Sequence, residues 1–216
     1  IATNANNSLG VITTYADSTG NPAPTAPTAQ DFANIGVTGL TSSANQSGQS
    51  DADLLATVNR LLRTTGVNGQ EVDTTAEAQA IVNAYSRVLH AADGTDSNAT
   101  QNGYSAPTAT AYTALGITGF TGANAAATAA FLDDVIDGKN KADVDDQTDL
   151  QTLADAVSKM LAYTPSSASA DKPTVAQINA LMPATAGTPV TEANLAAVQA
   201  AIAAANNDGR AITDQA

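Results

Sequence analysis

The sequence contains no cysteine, no tryptophan and a single histidine among its 216 residues. Without cysteine, the disulfide framework that staples many small secreted domains is excluded. With one histidine and no cysteine, Cys–His and His-rich metal sites are excluded as well. Aromatic residues make up only 4% of the chain. We therefore expect cores in which small and aliphatic side chains pack between helices.

Basic residues are also scarce, because eight Lys and Arg stand against 21 Asp and Glu and give a net charge of −13. Nucleic acids and anionic membranes are bound through Lys and Arg, so neither is an expected partner. No run approaches the roughly 18 apolar residues that a membrane-spanning helix needs, so membrane insertion is not expected either. The chain begins with neither a methionine nor a signal segment. Ile1 is expected to result from processing or from a cut through a longer chain.

What the sequence does contain is a stretch that recurs. Residues 72–89 (VDTTAEAQAIVNAYSRVL) combine a Thr and a Glu at capping-box spacing with apolar residues at helical spacing. Residues 144–161 (VDDQTDLQTLADAVSKML) repeat this arrangement, and residues 1–15 carry a weaker version. The final residues 212–216 (ITDQA) start it again. Each full copy predicts an amphipathic helix.

Two further motifs recur at the same spacing as the first. A Pro-Thr pair, an aromatic residue and a Gly-(Val/Ile)-Thr-Gly phrase occupy residues 27–39 and again residues 107–119. A third copy at residues 173–181 lacks the glycine phrase, which residues 182–189 replace. An apolar helical pattern follows each copy. Three motifs that recur in one order at roughly 70-residue spacing indicate a tandem repeat.

The predicted fold class is all-α, with tandem three-helix modules in an elongated rod or filament subunit. In such a quasi-linear array each repeat contacts mainly its neighbours. Modules this small bury modest cores, so each is expected to be only marginally stable alone. The predicted modules are residues 1–71, 72–143 and 144–211, and residues 212–216 begin a further repeat or form an end-to-end contact.

Catalytic signals are weak throughout the chain. His90 is the only histidine, and we interpret it as a cation favoured at a helix C-terminus. No Gly-x-Ser-x-Gly turn is present. The Gly-x-x-Gly segments at residues 36–39 and 116–119 are too short to cradle phosphate and are explained as helix stops. We therefore predict that the protein is not an enzyme and has no organic cofactor.

One acidic cluster has two interpretations. Asp143, Asp145, Asp146 and Asp149 lie within seven residues. Calcium binds about six to eight oxygens, and alternating aspartates on a loop can supply several of them. The EF-hand pattern is not matched, since glycine is absent from its sixth place and glutamate from its twelfth. Alternatively, the same aspartates cap a helix start and complement its dipole.

Three segments carry a resemblance to a known class of protein. They are residues 15–41 (YADSTGNPAPTAPTAQDFANIGVTGLT), 72–85 (VDTTAEAQAIVNAY) and 190–205 (VTEANLAAVQAAIAAA). These segments resemble repeat modules of very large bacterial surface and adhesin-like proteins. The resemblance extends over essentially the whole chain and departs from the pattern at residues 182–189. It implies an extracellular location on a bacterial cell surface and a structural or adhesive role.

Two functions from different classes follow as expectations. The first is a spacer or assembly unit of a surface adhesin, filament or layer, which the scarcity of aromatic residues favours. The alternative is a binding module that captures a host or matrix partner through a helical face. For the first function we expect neighbouring copies or repeats to join head to tail, with Ile212 and Asp214 of one meeting the Ile1 helix of the next.

Overall fold

The computed structural model describes residues 2–18, 24–41, 44–64, 67–94, 106–183 and 187–207. Within these ranges the chain is mostly helical and forms no strand, which confirms the predicted all-α class. None of the helices found there is long and apolar enough to cross a membrane. The helices are α1 (Ala2–Asp17), α2 (Ala29–Asn34), α3 (Asp51–Leu61), α4 (Thr75–Ala91), α5 (Ala109–Ala114), α6 (Ala125–Asp137), α7 (Gln147–Ala162), α8 (Val175–Leu181) and α9 (Leu195–Asn207). Short 3₁₀ turns occupy Gly69–Glu71, Lys141–Asp143 and Ser169–Asp171.

The long helices α4 and α7 begin at capping residues. The Glu77 amide donates to the Thr74 hydroxyl at 3.2 Å, and the Thr74 amide donates to the Glu77 carboxylate at 3.0 Å. This reciprocal pair confirms the predicted capping box. Helix α7 starts similarly, because the Asp149 amide donates to the Asp146 carboxylate at 2.9 Å. Beyond the cap of α4 the predicted apolar stripe is buried and consists of Ile81, Val82, Tyr85, Val88 and Leu89.

The short helices α2, α5 and α8 share one construction. Each follows a buried proline, whose fixed φ and missing amide suit a position just before a helix start. A threonine then caps the helix by accepting a hydrogen bond from the amide three residues later. Each helix buries one large side chain in the core. The capping residues are Thr28, Thr108 and Thr174, and the large buried residues are Phe32, Tyr112 and Ile178.

Helices α2 and α5 end in the same left-handed turn. Gly36 has a φ of 90° and Gly116 a φ of 72°, a conformation that a β-carbon disfavours. The amides of Val37 and Ile117 then donate, each at 3.0 Å, to the carbonyl five residues earlier. Both side chains are buried, as predicted for Val37. The glycine phrase therefore stops the helix and returns the chain to the core.

A continuous hydrophobic core extends from Ile12 on α1 to Ala203 on α9. Leu195 and Val198, both predicted to be buried, are only partly buried. Helix α9 packs mainly against α7, whereas the corresponding helix α6 packs against α4, α5 and α7. Helix α9 is therefore covered by fewer neighbours. Leu161, in the last turn of α7, is also partly buried. The other residues predicted to form the core are buried, namely Leu54, Leu61, Val82, Tyr85, Leu89, Leu132 and Val157.

The predicted module boundaries fall at Val72 and Val144, between a 3₁₀ turn and a long helix. Both valines are fully buried in the common core. The Tyr85 hydroxyl, on α4, donates to the Val144 carbonyl at 3.2 Å. The core therefore continues across both positions, and the division into modules stays a prediction.

Candidate functional site

A set of hydrogen bonds joins the end of α2 to the start of α4. Thr75, the first residue of α4, donates from Oγ1 to the Ile35 carbonyl at 2.7 Å. One turn later, Gln79 Oε1 accepts a hydrogen bond from the Thr38 amide at 2.8 Å. The Nε2 of Gln79 donates to the Thr38 carbonyl at 3.0 Å. The side-chain amide thus satisfies both backbone polar groups of Thr38.

The same arrangement joins α5 to α7. Gln147, the first residue of α7, donates from Nε2 to the Leu115 carbonyl at 3.1 Å. Gln151, the fifth residue, accepts from the Thr118 amide at 2.8 Å and donates to the Thr118 carbonyl at 3.5 Å. We call each of these sets a junction. Both junctions pair the first and fifth residues of a long helix with the turn that ends the preceding short helix.

Each junction glutamine is held in place by the residue four positions later. Gln79 Nε2 donates to Asn83 Oδ1 at 2.9 Å, and Gln151 Nε2 donates to Asp155 Oδ1 at 2.7 Å. Residues four apart are neighbours on a helix surface, so this second contact orients the amide toward the turn. Gln79 and Gln151 are not among the predicted site residues. A signal was present, since a glutamine stands five residues after both helix caps (TTAEAQ and DQTDLQ).

The far end of each preceding long helix meets the next 3₁₀ turn. At the end of α1, the Asp17 carboxylate accepts a hydrogen bond from the Gly69 amide at 2.8 Å. Beyond α4, the Gly94 amide donates to the Lys139 carbonyl at 2.8 Å, just ahead of the turn at Lys141–Asp143. The connection between successive long helices is therefore supported at two places, the junction and this turn.

The aspartates predicted as a metal site separate into two groups. Asp145, Asp146 and Asp149 each place a carboxylate oxygen within 4.8 Å of the others. Asp143 is used elsewhere, since its carboxylate accepts a hydrogen bond from the Asn140 amide at 3.0 Å and closes the 3₁₀ turn. The turn directs Asp143 back toward Asn140. Three of the four predicted residues are thus brought together.

Arg60 of α3 provides a positive charge beside this cluster. Its Nη1 lies 3.0 Å from Asp145 Oδ1 and also donates to the Asp145 carbonyl at 3.0 Å. Burial, followed by the charges of Asp146, Asp145 and Asp143, raises the pKa of Asp149, while Arg60 opposes the increase. Asp146 is explained by its role as the cap of α7, and Asp145 by its ion pair with Arg60. Among the residues that the structure describes, these three carboxylates could hold a calcium ion.

The remaining predicted residues fall in two places. His90 lies in the last turn of α4, where the helix dipole favours a cation. Ile1, Ile212 and Asp214, which we predicted to form an end-to-end contact, lie outside the described residues. Their contact stays a prediction.

A shallow groove lies beside α3. Tyr15, Pro27 and Leu55 contribute apolar surface, and Arg60 and Arg63 border it. The Arg63 guanidinium lies 5.5 Å from the centre of the Tyr15 ring, within cation–π range. Two of the chain's eight basic residues therefore border one apolar depression on an otherwise acidic protein. Arg60 is already paired with Asp145, and Arg63 is the cation of this groove that lies over the Tyr15 ring.

No family model, no curated protein and no solved structure matches the chain. The resemblance of the repeated motifs to bacterial surface modules stays a prediction.

Proposed function

We propose that this chain is a non-enzymatic structural repeat protein, a spacer or assembly unit of an adhesin, filament or layer on a bacterial cell surface. The observation that carries the proposal is the junction, which recurs at α2–α4 and α5–α7 with equivalent residues and similar distances. Repeating one junction gives successive units the same relative placement. A regular, extended array follows from such repetition.

The proposed location is extracellular. An acidic surface with a net charge of −13 suits a protein that must stay dispersed, because like charges keep copies apart. The absence of cysteine leaves no thiol for oxidation outside the cell to alter. The motif resemblance to surface modules supports the same location.

The units of this proposal join head to tail, either within a longer array or between separate copies. Residues 212–216 begin the motif that also starts at Val72 and at Val144, and Asp214 stands at the position of the helix cap in that motif. A helix begun there would meet the Ile1 helix of the next copy. A contact between two different surfaces grows a filament unless rotation closes it into a ring.

Light scattering tests assembly between separate copies. The full chain should associate as its concentration rises, and a chain that lacks residues 212–216 should remain monomeric. A matched control carries residues 212–216 in scrambled order, which preserves length and charge. It should behave like the truncated chain. Association of all three forms to the same extent would contradict end-to-end contact through this segment.

The groove beside α3 favours a second candidate function, capture of a host or matrix partner. Its support is the combination of an apolar floor with Arg60 and Arg63 at the border. In this case Leu55→Glu should abolish binding to immobilised matrix proteins. Val11→Glu is the matched control, since Val11 is an exposed apolar residue on α1. Equal binding by both variants would exclude the groove as a binding surface.

A further inference from the structure

A side-chain amide ties α3 to the start of α2. Asn59 Nδ2 donates to the Pro27 carbonyl at 2.8 Å, and this hydrogen bond is buried. Pro27 immediately precedes the cap of α2, so the bond fixes where that short helix begins. Asn59 lies three residues before Leu62, which is buried in the core.

The same bond recurs between α9 and the start of α8. Gln199 Nε2 donates to the Pro173 carbonyl at 2.8 Å. Pro173 immediately precedes the cap of α8, and Gln199 lies three residues before the buried Ile202. Two of the three short helices are therefore anchored by a neutral amide on the helix that follows them.

The equivalent position on α6 is occupied by Asp133. It lies three residues before the buried Ile136 and 26 residues after Pro107, the same separation as between Gln199 and Pro173. An amide at this position donates a hydrogen bond, whereas an ionised carboxylate can only accept one. A carbonyl oxygen is also only an acceptor. Asp133 can therefore reproduce the bond only when it carries a proton.

Two observations at α5 and α6 agree with this reading. Asp133 Oδ1 is buried and has no hydrogen-bond partner among the described residues. Tyr112 occupies in α5 the position that Phe32 occupies in α2. Its hydroxyl is buried and has no hydrogen-bond partner among the residues that the structure describes. Buried polar atoms are nearly always paired, so an unpaired carboxyl oxygen points to a proton or a bond that forms under other conditions.

We propose that Asp133 is a proton-operated latch, in which the protonated carboxyl donates to the Pro107 carbonyl and ties α6 to α5, and the ionised carboxylate releases that tie. This property goes beyond the proposed structural role and does not depend on it. It makes the packing of α6 against α5 respond to pH. The corresponding bonds of Asn59 and Gln199 are insensitive to pH in the same range.

The electrostatic surroundings give the latch its pH range. Burial, followed by the charge of Asp134, raises the pKa of Asp133 from 3.8 to about 6. Helices α4, α5 and α7 pack against α6. On α5, burial, followed by the charge of Asp133, raises the pKa of Tyr112 well above its ordinary value. The other titratable groups of the packed helices are Glu77, Tyr85, Arg87 and His90 on α4 and Asp149, Asp155 and Lys159 on α7.

The direction of the pH effect follows from this shift. A carboxyl whose pKa is higher in the folded state binds its proton more tightly there than in the unfolded chain. Its contribution to stability is therefore complete below about pH 4 and is lost as the pH rises to about 6. Above that range the contribution stays absent.

Carboxyl NMR titration of the full chain tests the latch directly. Asp133 should titrate with a midpoint near 6, and Asp133→Asn should supply a permanent donor like Asn59. We expect this variant to melt about 2–4 °C above the unmodified chain at pH 7.5 and at the same temperature at pH 4. Asp171→Asn, at an exposed aspartate of a 3₁₀ turn, controls for removal of one negative charge and should show no such pH-dependent difference.

The reciprocal variant is Asn59→Asp, which should lower the melting temperature at pH 7.5 and restore it at pH 4. If that variant fails to fold at pH 7.5, refolding at pH 4 still reports the same effect. A midpoint for Asp133 near 4 would overturn the proposal. A difference between Asp133→Asn and the unmodified chain that is equal at both pH values would overturn it as well.

Discussion

The ends of α2 and α5 contrast with the end of α8. The first two helices stop at a left-handed glycine, and the residues that follow pair with Gln79 or Gln151 of the next long helix. Helix α8 stops at Met182 in an extended conformation, with φ −69° and ψ 144°. No glycine phrase follows it. The three short helices therefore begin alike and end differently.

Polar groups around the end of α8 are satisfied from other directions. The Asn179 side chain donates to the Val190 carbonyl at 2.9 Å and accepts from the Val190 amide at 2.8 Å. Lys139, from the segment before α7, donates to the Met182 carbonyl. Backbone groups at a helix end need partners in every case. The glycine phrase, rather than the short helix, therefore creates the junction with the following long helix.

The largest difference in the loss of stability should appear between two variants, one that shortens a core leucine of α3 and one that shortens a leucine of α9. Leu61→Ala on α3 should lower the free energy of unfolding by about 2–5 kcal/mol, because it leaves a cavity where the side chain is almost fully buried. Leu195→Ala, at the partly buried start of α9, should cost less. Urea denaturation measures both. Equal losses would show that α9 is packed as tightly as α3.

A smaller effect is expected at the turn that only α2 and α5 possess. Gly36→Ala should destabilise the fold by about 1–2 kcal/mol, because alanine resists a φ of 90°. The space itself is adequate, since a β-carbon would lie 3.8 Å from Thr75 Cγ2. Gly187→Ala, in the connection that replaces the phrase, should be nearly neutral. An unchanged melting temperature for Gly36→Ala would remove the conformational reason for the glycine.

The junction glutamines should contribute less than the turn. Gln79→Ala and Gln151→Ala should each lower the free energy of unfolding by about 0.5–1.5 kcal/mol, the usual net value of a hydrogen bond. We expect values at the lower end of this range, because the bonds are exposed. Hydrogen exchange at the Thr38 and Thr118 amides should accelerate in the respective variant. Gln70→Ala, at an exposed glutamine of a 3₁₀ turn, is the control. Unchanged exchange at both threonines would remove the junction.

Much of the helical layout could be predicted because its causes are local. The capping pair of Thr74 and Glu77 and the spacing of the apolar residues behind it determine where α4 begins and which face it buries. Burial on α9 could not be predicted in the same way. Its apolar pattern resembles that of α3, but exposure depends on which neighbouring helices cover it.

The candidate site was predictable only in part, because its contacts join distant segments. The acidic cluster could be located from its residues, yet the exclusion of Asp143 depends on the 3₁₀ turn that directs it toward Asn140. Arg60 pairs with Asp145 across 85 positions of the chain. The role of Asp133 becomes visible only when the Asn59 and Gln199 bonds define its position.

The smallest effect is expected at the acidic cluster beside the second junction. Arg60 and the cap of α7 already engage Asp145 and Asp146, so the melting temperature should be the same with calcium and with a chelator. Arg60→Gln removes the competing charge and is the form most able to bind the ion. A melting temperature that rises and saturates with calcium in the unmodified chain would establish the metal interpretation, since binding to the folded state alone stabilises it.

Small-angle X-ray scattering tests most directly whether repeated junctions produce an extended array. A compact domain of this length has a radius of gyration of about 17 Å. We expect the full chain to exceed that value clearly, with a distance distribution that peaks early and declines in a long, nearly linear tail. A radius of gyration near 17 Å with a symmetric distribution would contradict the proposed role as an elongated spacer or assembly unit.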